Sequence, residues 1–327
     1  MTRHDGVKRI HVAVGVILDA HGQVLVAKRA DQQHLGGLWE FPGGKVEVGE
    51  TVQQALSREL KEEIAINVTQ SRPLCRIEHN YPDKAVLLDV WIVDRFTGTP
   101  TGLENQPLRW LPTSQLDTKE FPQANRLIIR RLQLRDMLAI VNIPAPPSTP
   151  IRVAGDTLLR LRCQHKNHYQ DYLSAAHKML PELAHTSAGV IVDLSATDIN
   201  ADGRIRDDLL ALPGCKGLHA HGGLLGCLSA RPVPEHLLFG VSCHSREDLV
   251  LAAALDADYA LLSPVKATAS HPGTAPLGWN TFADMVREST VPVYALGGMQ
   301  TPDLIIARAS GARGIAGISL FSCDTMR

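Results

Sequence analysis

Apolar residues follow two different rhythms along this 327-residue chain. From Ile10 to about Arg135, short β-rich runs dominate. Ile10–Leu18 and Gln23–Lys28 read as strands around the turn Asp19–Gly22, a hairpin signal, and Ala85–Asp94 and Leu108–Leu111 read as further strands. Two stretches place apolar residues at helical spacing. In Thr51–Ile64 the stripe is Val52, Leu56, Leu60 and Ile64; in Gln123–Leu138 it includes Leu127, Ile128, Leu132 and Leu134. This half predicts a mixed sheet with few helices.

A proline-rich stretch, Asn142–Pro150, then holds four prolines in nine residues and predicts a semi-rigid linker. Beyond it β-branched runs alternate with helical stretches. The runs are Leu158–Cys163, Gly189–Leu194, Gly217–Ala220, Leu237–Cys243, Tyr259–Val265, Val291–Gly297 and Gly314–Ser319; Tyr169–Leu183 and Arg246–Leu255 are helical. Such alternation implies a parallel sheet or a (β/α) barrel. The count is seven strands, or eight if Met137–Ile143 is the first, which leaves the first β/α unit irregular. The expected division is 1–135, a linker at 136–150 that takes in that first strand if it forms, and 151–327.

Composition adds bounds. With 33 Lys+Arg against 34 Asp+Glu, the net charge of −1 gives no long-range pull on nucleic acid or an anionic membrane. At 44% hydrophobic and 20% charged residues, the chain is that of a globular protein. Its longest apolar runs fall short of the roughly 18 residues a spanning helix needs, and the start lacks a secretion signal's apolar core, so the expected location is cytoplasmic. The six cysteines show no paired metal or redox spacing and read as reduced thiols.

The chemistry concentrates in Gly43–Ile66. On the predicted helix Glu59, Glu62 and Glu63 stand at i, i+3 and i+4, so their carboxylates share one face. Clustered hard oxygen ligands suit Mg²⁺ or Mn²⁺. Arg58 is placed to orient a carboxylate. The ordered set Gly44, Glu50, Arg58-Glu59-Leu60, Glu62-Glu63 and Ile66 resembles the Nudix box, the loop-helix of hydrolases that cleave nucleoside diphosphates linked to another moiety. One position departs: Ala65 stands where that family has the glycine that ends the helix in a left-handed conformation, at a cost on the order of 1 kcal/mol.

Over about Lys8–Leu132 the resemblance is to MutT-type 8-oxo-dGTP diphosphatases. Four stretches carry it: Ala27–Ala30 with His34, Trp39–Gly44, Gly102–Pro107 and Phe121–Asn125. It implies an α/β/α sandwich with a mixed sheet, and hydrolysis of 8-oxo-dGTP or a related dNTP to the monophosphate and pyrophosphate. It also implies metal ligation by the Gly43 carbonyl, Glu59, Glu62 and Glu63. Glu104 follows as an additional ligand or base, and Arg29, His34, Phe41, Gly43, Gly44 and Asn125 line the substrate. Asn125 offers both a donor and an acceptor to a purine edge, although its position also suits a helix cap.

Over about Leu158–Phe321 the chain resembles thiamine-phosphate synthase and TenI-like proteins, through Leu159–Arg162, Gly240–Ser242, Ala257–Tyr259, Ser263–Val265, Ala295–Gly298 and Gly317–Ser319. The implied fold is a TIM-type (β/α)8 barrel, with a phosphate site drawn from Arg162, Ser242, Gly298 and Ser319. Several charged positions depart. The family's QLRxK reads Arg160-Leu161-Arg162-Cys163-Gln164, and its asparagine–aspartate pair reads Val192-Asp193. The second acid of its magnesium site is lost in Gly222–Leu225, and its loop lysine is His271. A magnesium-diphosphate reaction is thereby impaired. The expected partner is a phosphorylated thiamine-pathway ligand, with no direct DNA binding. The alternatives are a thiamine-pathway transferase or isomerase in the barrel, a barrel that only senses a phosphorylated ligand, and a hydrolase domain acting on another diphosphate.

Overall fold

The structure is a computed structural model that describes residues 9–32, 35–81, 85–143, 157–164, 168–183, 189–200, 202–268 and 273–318. His34, His271, Ser319 and the proline-rich stretch 144–150 lie outside the described residues. The chain splits into two compact units, 1–133 and 134–327. No helix among the described residues is long and apolar enough to cross a membrane.

The first unit has two sheets. One is mixed, in the order β4 (Gly43–Lys45), β1 (Arg9–Ile17), β6 (Ala85–Thr97), β5 (Asn67–Asn80), with β1 and β6 parallel. The other is antiparallel, in the order β3 (Trp39–Glu40), β2 (Gln23–Lys28), β7 (Leu108–Pro112). The expected hairpin is thus a turn without a ladder. Asp19 accepts the His21 and Gln23 amides at 2.8 Å, and a single bridge, Leu18 to Val24, follows before the strands part into separate sheets. The ladder cannot extend because that edge of β1 is taken by β4 over Val12–Val14 and by the Pro42 carbonyl at Gly15.

Helix α1 (Val52–Ile64) starts on a capping box, in which Thr51 and Gln54 exchange side-chain and backbone hydrogen bonds. Its buried side, Ala55, Leu56, Leu60 and Ile64, packs with Ala13, Ile17 and Val93 of the mixed sheet. Ala65 adopts φ +60°, ψ +27°, and Ala65 and Ile66 donate back to Lys61 and Leu60. The departure from glycine has not removed the left-handed stop. Helix α2 runs Gln123–Leu132, shorter than its pattern suggested, because Leu134 and Leu138 pack inside the second unit.

The second unit is a closed parallel barrel of eight strands: β8 (Met137–Ile143), β9 (Leu158–Cys163), β10 (Gly189–Leu194), β11 (Cys215–Ala220), β12 (Leu238–Cys243), β13 (Tyr259–Leu262), β14 (Val293–Leu296) and β15 (Gly314–Gly317). Met137–Ile143 is therefore the first barrel strand, closing the sheet between β15 and β9. Helices α3 (Tyr169–Leu183), α4 (Asp207–Leu210), α5 (Gly222–Leu225), α6 (Arg246–Ala254), α7 (Gly278–Glu288) and α8 (Asp303–Ala309) follow the strands. Strand alternation sorts the side chains. Leu159, Leu161, Val190, Val192, Phe239 and Val241 join the core shared with the helices. Leu138, Ile140, Leu158, Ile191, Tyr259, Leu261 and Tyr294 form a separate interior core.

Candidate active site and barrel interior

The glycine strand β4 and helix α1 meet through two carboxylates. The Gly43 N–H donates to Glu63 Oε2 at 3.0 Å. At Gly44 a Cβ would fall 2.1 Å from the Glu59 carboxyl carbon, so only glycine admits the Glu59 head group there. Arg58 grips Glu50 with two bonds, of 3.0 and 2.9 Å, and also donates to Glu59 at 2.9 Å, to Glu62 at 3.3 Å and to the Lys45 carbonyl at 3.0 Å. One guanidinium thus fixes the loop to the helix. The structure brings Glu59 and Glu63 to the glycines, whereas Glu62 stands 64% exposed on the Arg58 side.

Loop 98–107 is fastened to the end of α1. The Gln106 amide donates to the Glu63 carbonyl at 2.9 Å and accepts from the Glu104 N–H at 2.9 Å, and the Leu103 N–H donates to the same carbonyl at 3.0 Å. This brings the charge of Glu104 to bear on Glu63. Burial pushes the Glu63 carboxyl up to about 7, against the Gly43 hydrogen bond and with help from the negative charges of Glu40 and Glu104. Glu40 had not been singled out from the sequence. It is the ion-pair partner of Arg29, and burial raises its carboxyl despite that cation. Its position beside Glu63 depends on β3 pairing with β2, which no local spacing encodes.

Asn125 is 8% exposed and sits in the first turn of α2, where Pro122 is the N-cap. The capping role is therefore excluded. Among the described residues its side-chain amide makes no hydrogen bond, while its N–H donates to the Pro122 carbonyl at 2.9 Å. Tyr81, also missed, has the Ala124 backbone as a partner and Arg29 nearby, and its ring meets His79 edge-on at 4.5 Å. Phe41 is 3% exposed and stacks on Phe121 with centroids 5.6 Å apart. The ring therefore lies in the core and ties the strand before Gly43 to the start of α2.

The donor chemistry here fits a hard divalent cation, since the carboxylates and the Gly43 carbonyl offer oxygen alone. Among the described residues no three His, Cys, Asp or Glu side chains stand preassembled as a ligand group. Mutual repulsion of Glu40, Glu63 and Glu104 is what a bound cation would relieve.

Inside the barrel, Arg160 makes a bidentate pair with Asp193, at 2.7 and 3.1 Å, and both residues are buried. His219, fully buried, bridges Ser242 Oγ at 2.9 Å and the Tyr259 hydroxyl at 3.1 Å. Burial, then the charges of Arg160, His221 and Arg162, push its imidazole well below the ordinary range and keep it neutral. Arg162 and Ser242 thus share the surroundings of His219. Gly298 sits at φ +64°, where a Cβ would strike the Ala267 carbonyl at 2.6 Å. Neither Asn142 nor His219 carried a sequence signal as a site residue.

A profile of the NUDIX domain family matches residues 13–131, and one of the thiamine monophosphate synthase family matches residues 157–321. The chain is 37% identical over 126 residues to an 8-oxo-dGTP diphosphatase of Escherichia coli (strain K12), which covers 38% of this chain and 98% of that protein. It is 50% identical over 86 residues to an 8-oxo-dGTP diphosphatase of Proteus vulgaris, covering 26% and 77%. A CTP pyrophosphohydrolase of Escherichia coli (strain K12) is 39% identical over 97 residues, covering 30% and 72%.

Proposed function

Because the chain belongs to the Nudix domain family through residues 13–131 and to the thiamine monophosphate synthase family through residues 157–321, we propose that it is a nucleotide diphosphatase carrying a barrel that binds a phosphorylated ligand. The proposed reaction is 8-oxo-dGTP plus water giving 8-oxo-dGMP and pyrophosphate, which would remove an oxidised precursor before DNA synthesis. The observation that carries this reading is the Glu63 carboxylate, held on the Gly43 N–H and pushed up to about 7 in an acidic, half-buried setting.

Glu59, Glu63 and the Gly43 carbonyl would hold Mg²⁺ or Mn²⁺, with Glu62 reached from the same helix. Such a cation supplies charge neutralisation on the phosphate oxygens. The chain's own residues do the rest. Arg58 keeps Glu59 oriented, and Arg29 meets a phosphate or another nucleotide oxygen once substrate competes with Glu40 for it. The pair Glu63 and Glu104 accepts the proton that the attacking water loses as its oxygen bonds phosphorus and the α–β phosphoanhydride bond breaks. Asn125 presents its unpaired amide to the base edge.

A family relative that acts on CTP shares 39% identity with this region, so the substrate is the point to test. Pyrophosphate release should be measured with 8-oxo-dGTP, dGTP and CTP, with and without Mg²⁺, beside Glu63→Gln. Preference for 8-oxo-dGTP that needs the cation and collapses in the variant supports the proposal; equal rates on all three nucleotides would refute the assigned substrate.

A further inference from the structure

Asp193 is the one carboxylate on the eight barrel strands. Arg160 Nε donates to its Oδ1 at 2.7 Å, Arg160 Nη2 to its Oδ2 at 3.1 Å, and the Cys163 N–H to Oδ2 at 3.0 Å. Each oxygen already has a strong donor. The second acid that the synthase resemblance calls for is replaced in the Gly222–Leu225 segment. A divalent cation therefore does not fit on Asp193, because that carboxylate is neutralised by a guanidinium that no metal displaces cheaply from a buried site.

What remains is surplus positive charge. Arg162 shares the inward parity of Leu158 and Arg160 and is half-buried, yet among the described residues its side chain makes no hydrogen bond and no ion pair. Burial, then the neighbouring Arg160, disfavour its charge against the pull of Asp193, a carboxylate already paired with Arg160. Directly across the β8–β9 register stands Asn142, whose Oδ1 is buried with no donor. Ser242 is tied to His219, whose ring feels both arginines. An unpaired cation and an acceptor without a donor stand in register, and a hydroxyl sits on the histidine that feels that cation; together they make up one polar interior layer.

We propose that this layer is a cation-independent oxyanion site: Arg162, Asn142 and Ser242 receive a phosphate monoester that also carries a hydrogen-bond donor, and Arg160 occupies on Asp193 the place a divalent cation would take. The inference rests on the reading of the barrel as a ligand-binding domain and is separate from the hydrolase. The missing cation also sets the charge class. One unpaired guanidinium balances a monoester, whereas a diphosphate brings further negative charge with nothing to offset it.

The test is calorimetric titration of the full chain with inorganic phosphate, glycerol phosphate and inorganic pyrophosphate, in EDTA and then in Mg²⁺. Glycerol phosphate should bind in EDTA, more tightly than pyrophosphate, with less than about a twofold change on adding Mg²⁺. Arg162→Gln should weaken it about tenfold or more, as loss of a charged hydrogen bond does. Arg160→Gln frees Asp193 and should make binding respond to Mg²⁺. Since that variant leaves a buried carboxylate unpaired, Arg160→Gln with Asp193→Asn serves as the folded control and should bind without regard to Mg²⁺. Binding in the wild type only with Mg²⁺, or unchanged binding in Arg162→Gln, overturns the proposal alone. If none of the three anions binds under either condition, the ligand-domain reading falls with it.

Discussion

Gly43 and Glu63 lie 20 residues apart, yet the N–H of the first donates to the carboxylate of the second at 3.0 Å. That bond draws the acidic helix onto the glycine strand, and Arg58 secures the same junction through Glu50 and Glu59. A loop and a helix are thereby fixed to each other, which is the preorganisation that the proposed phosphate chemistry would reward.

Replacing Glu63 by glutamine keeps an acceptor for the Gly43 amide and removes the charge. We expect kcat for pyrophosphate release to fall by roughly 10²–10⁴-fold, the range for loss of a positioned acid–base group, with circular dichroism unchanged. A variant retaining a third of the activity would show that Glu63 is not part of the chemistry.

The raised carboxyl also has a signature in stability. A Glu63 that titrates near 7 when folded, against about 4.5 when unfolded, makes the folded state bind the extra proton between those values. Its contribution is therefore present below about 4.5 and lost as pH rises through 7. In EDTA, the wild type should lose stability relative to Glu63→Gln over that window, and Mg²⁺ should reverse the trend. Parallel melting curves from pH 4.5 to 7.5 in EDTA would contradict the assignment.

Ala65 occupies the left-handed region without the freedom of glycine. Ala65→Gly should stabilise the first unit by about 1 kcal/mol, the ordinary steric relief at such a stop. Denaturant midpoints followed by the fluorescence of Trp39, Trp91 and Trp110 would register the shift; a lower midpoint would mean that the alanine methyl packs favourably.

Removing the Asn125 amide should act on choice more than on rate. Asn125→Ala is expected to cut the kcat/KM ratio of 8-oxo-dGTP over dGTP by about 10–100-fold, as expected when one base-edge hydrogen bond is lost. If the ratio holds, selection resides in other residues.

The two rhythms of the sequence were legible where one face of an element is buried. All seven runs after the proline-rich stretch form strands, and Tyr169–Leu183 is helical over its whole length. Strand β5 escaped because Pro73, Gln70, Arg72 and Arg76 break its alternation, and its pairing with β6 shifts register at three places. Helix α2 was read too long because Leu134 and Leu138 keep helical phase while serving the barrel interior. The spacing of Glu59 and Glu63 was enough to set both on one helix, and the box as a whole was read through resemblance. Glu40, Tyr81 and Asn142 could not, since each gains its setting from a strand or helix far along the chain.

The stacked rings of Phe41 and Phe121 impose a measure of length on whatever the first unit holds. One ring stands two residues before Gly43 and the other four before Asn125, so the proposed anchors for the phosphate tail and the heterocycle would be spaced by solid hydrocarbon. A nucleotide would thereby be gauged end to end, and a ligand too short to reach both anchors would gain only one of them.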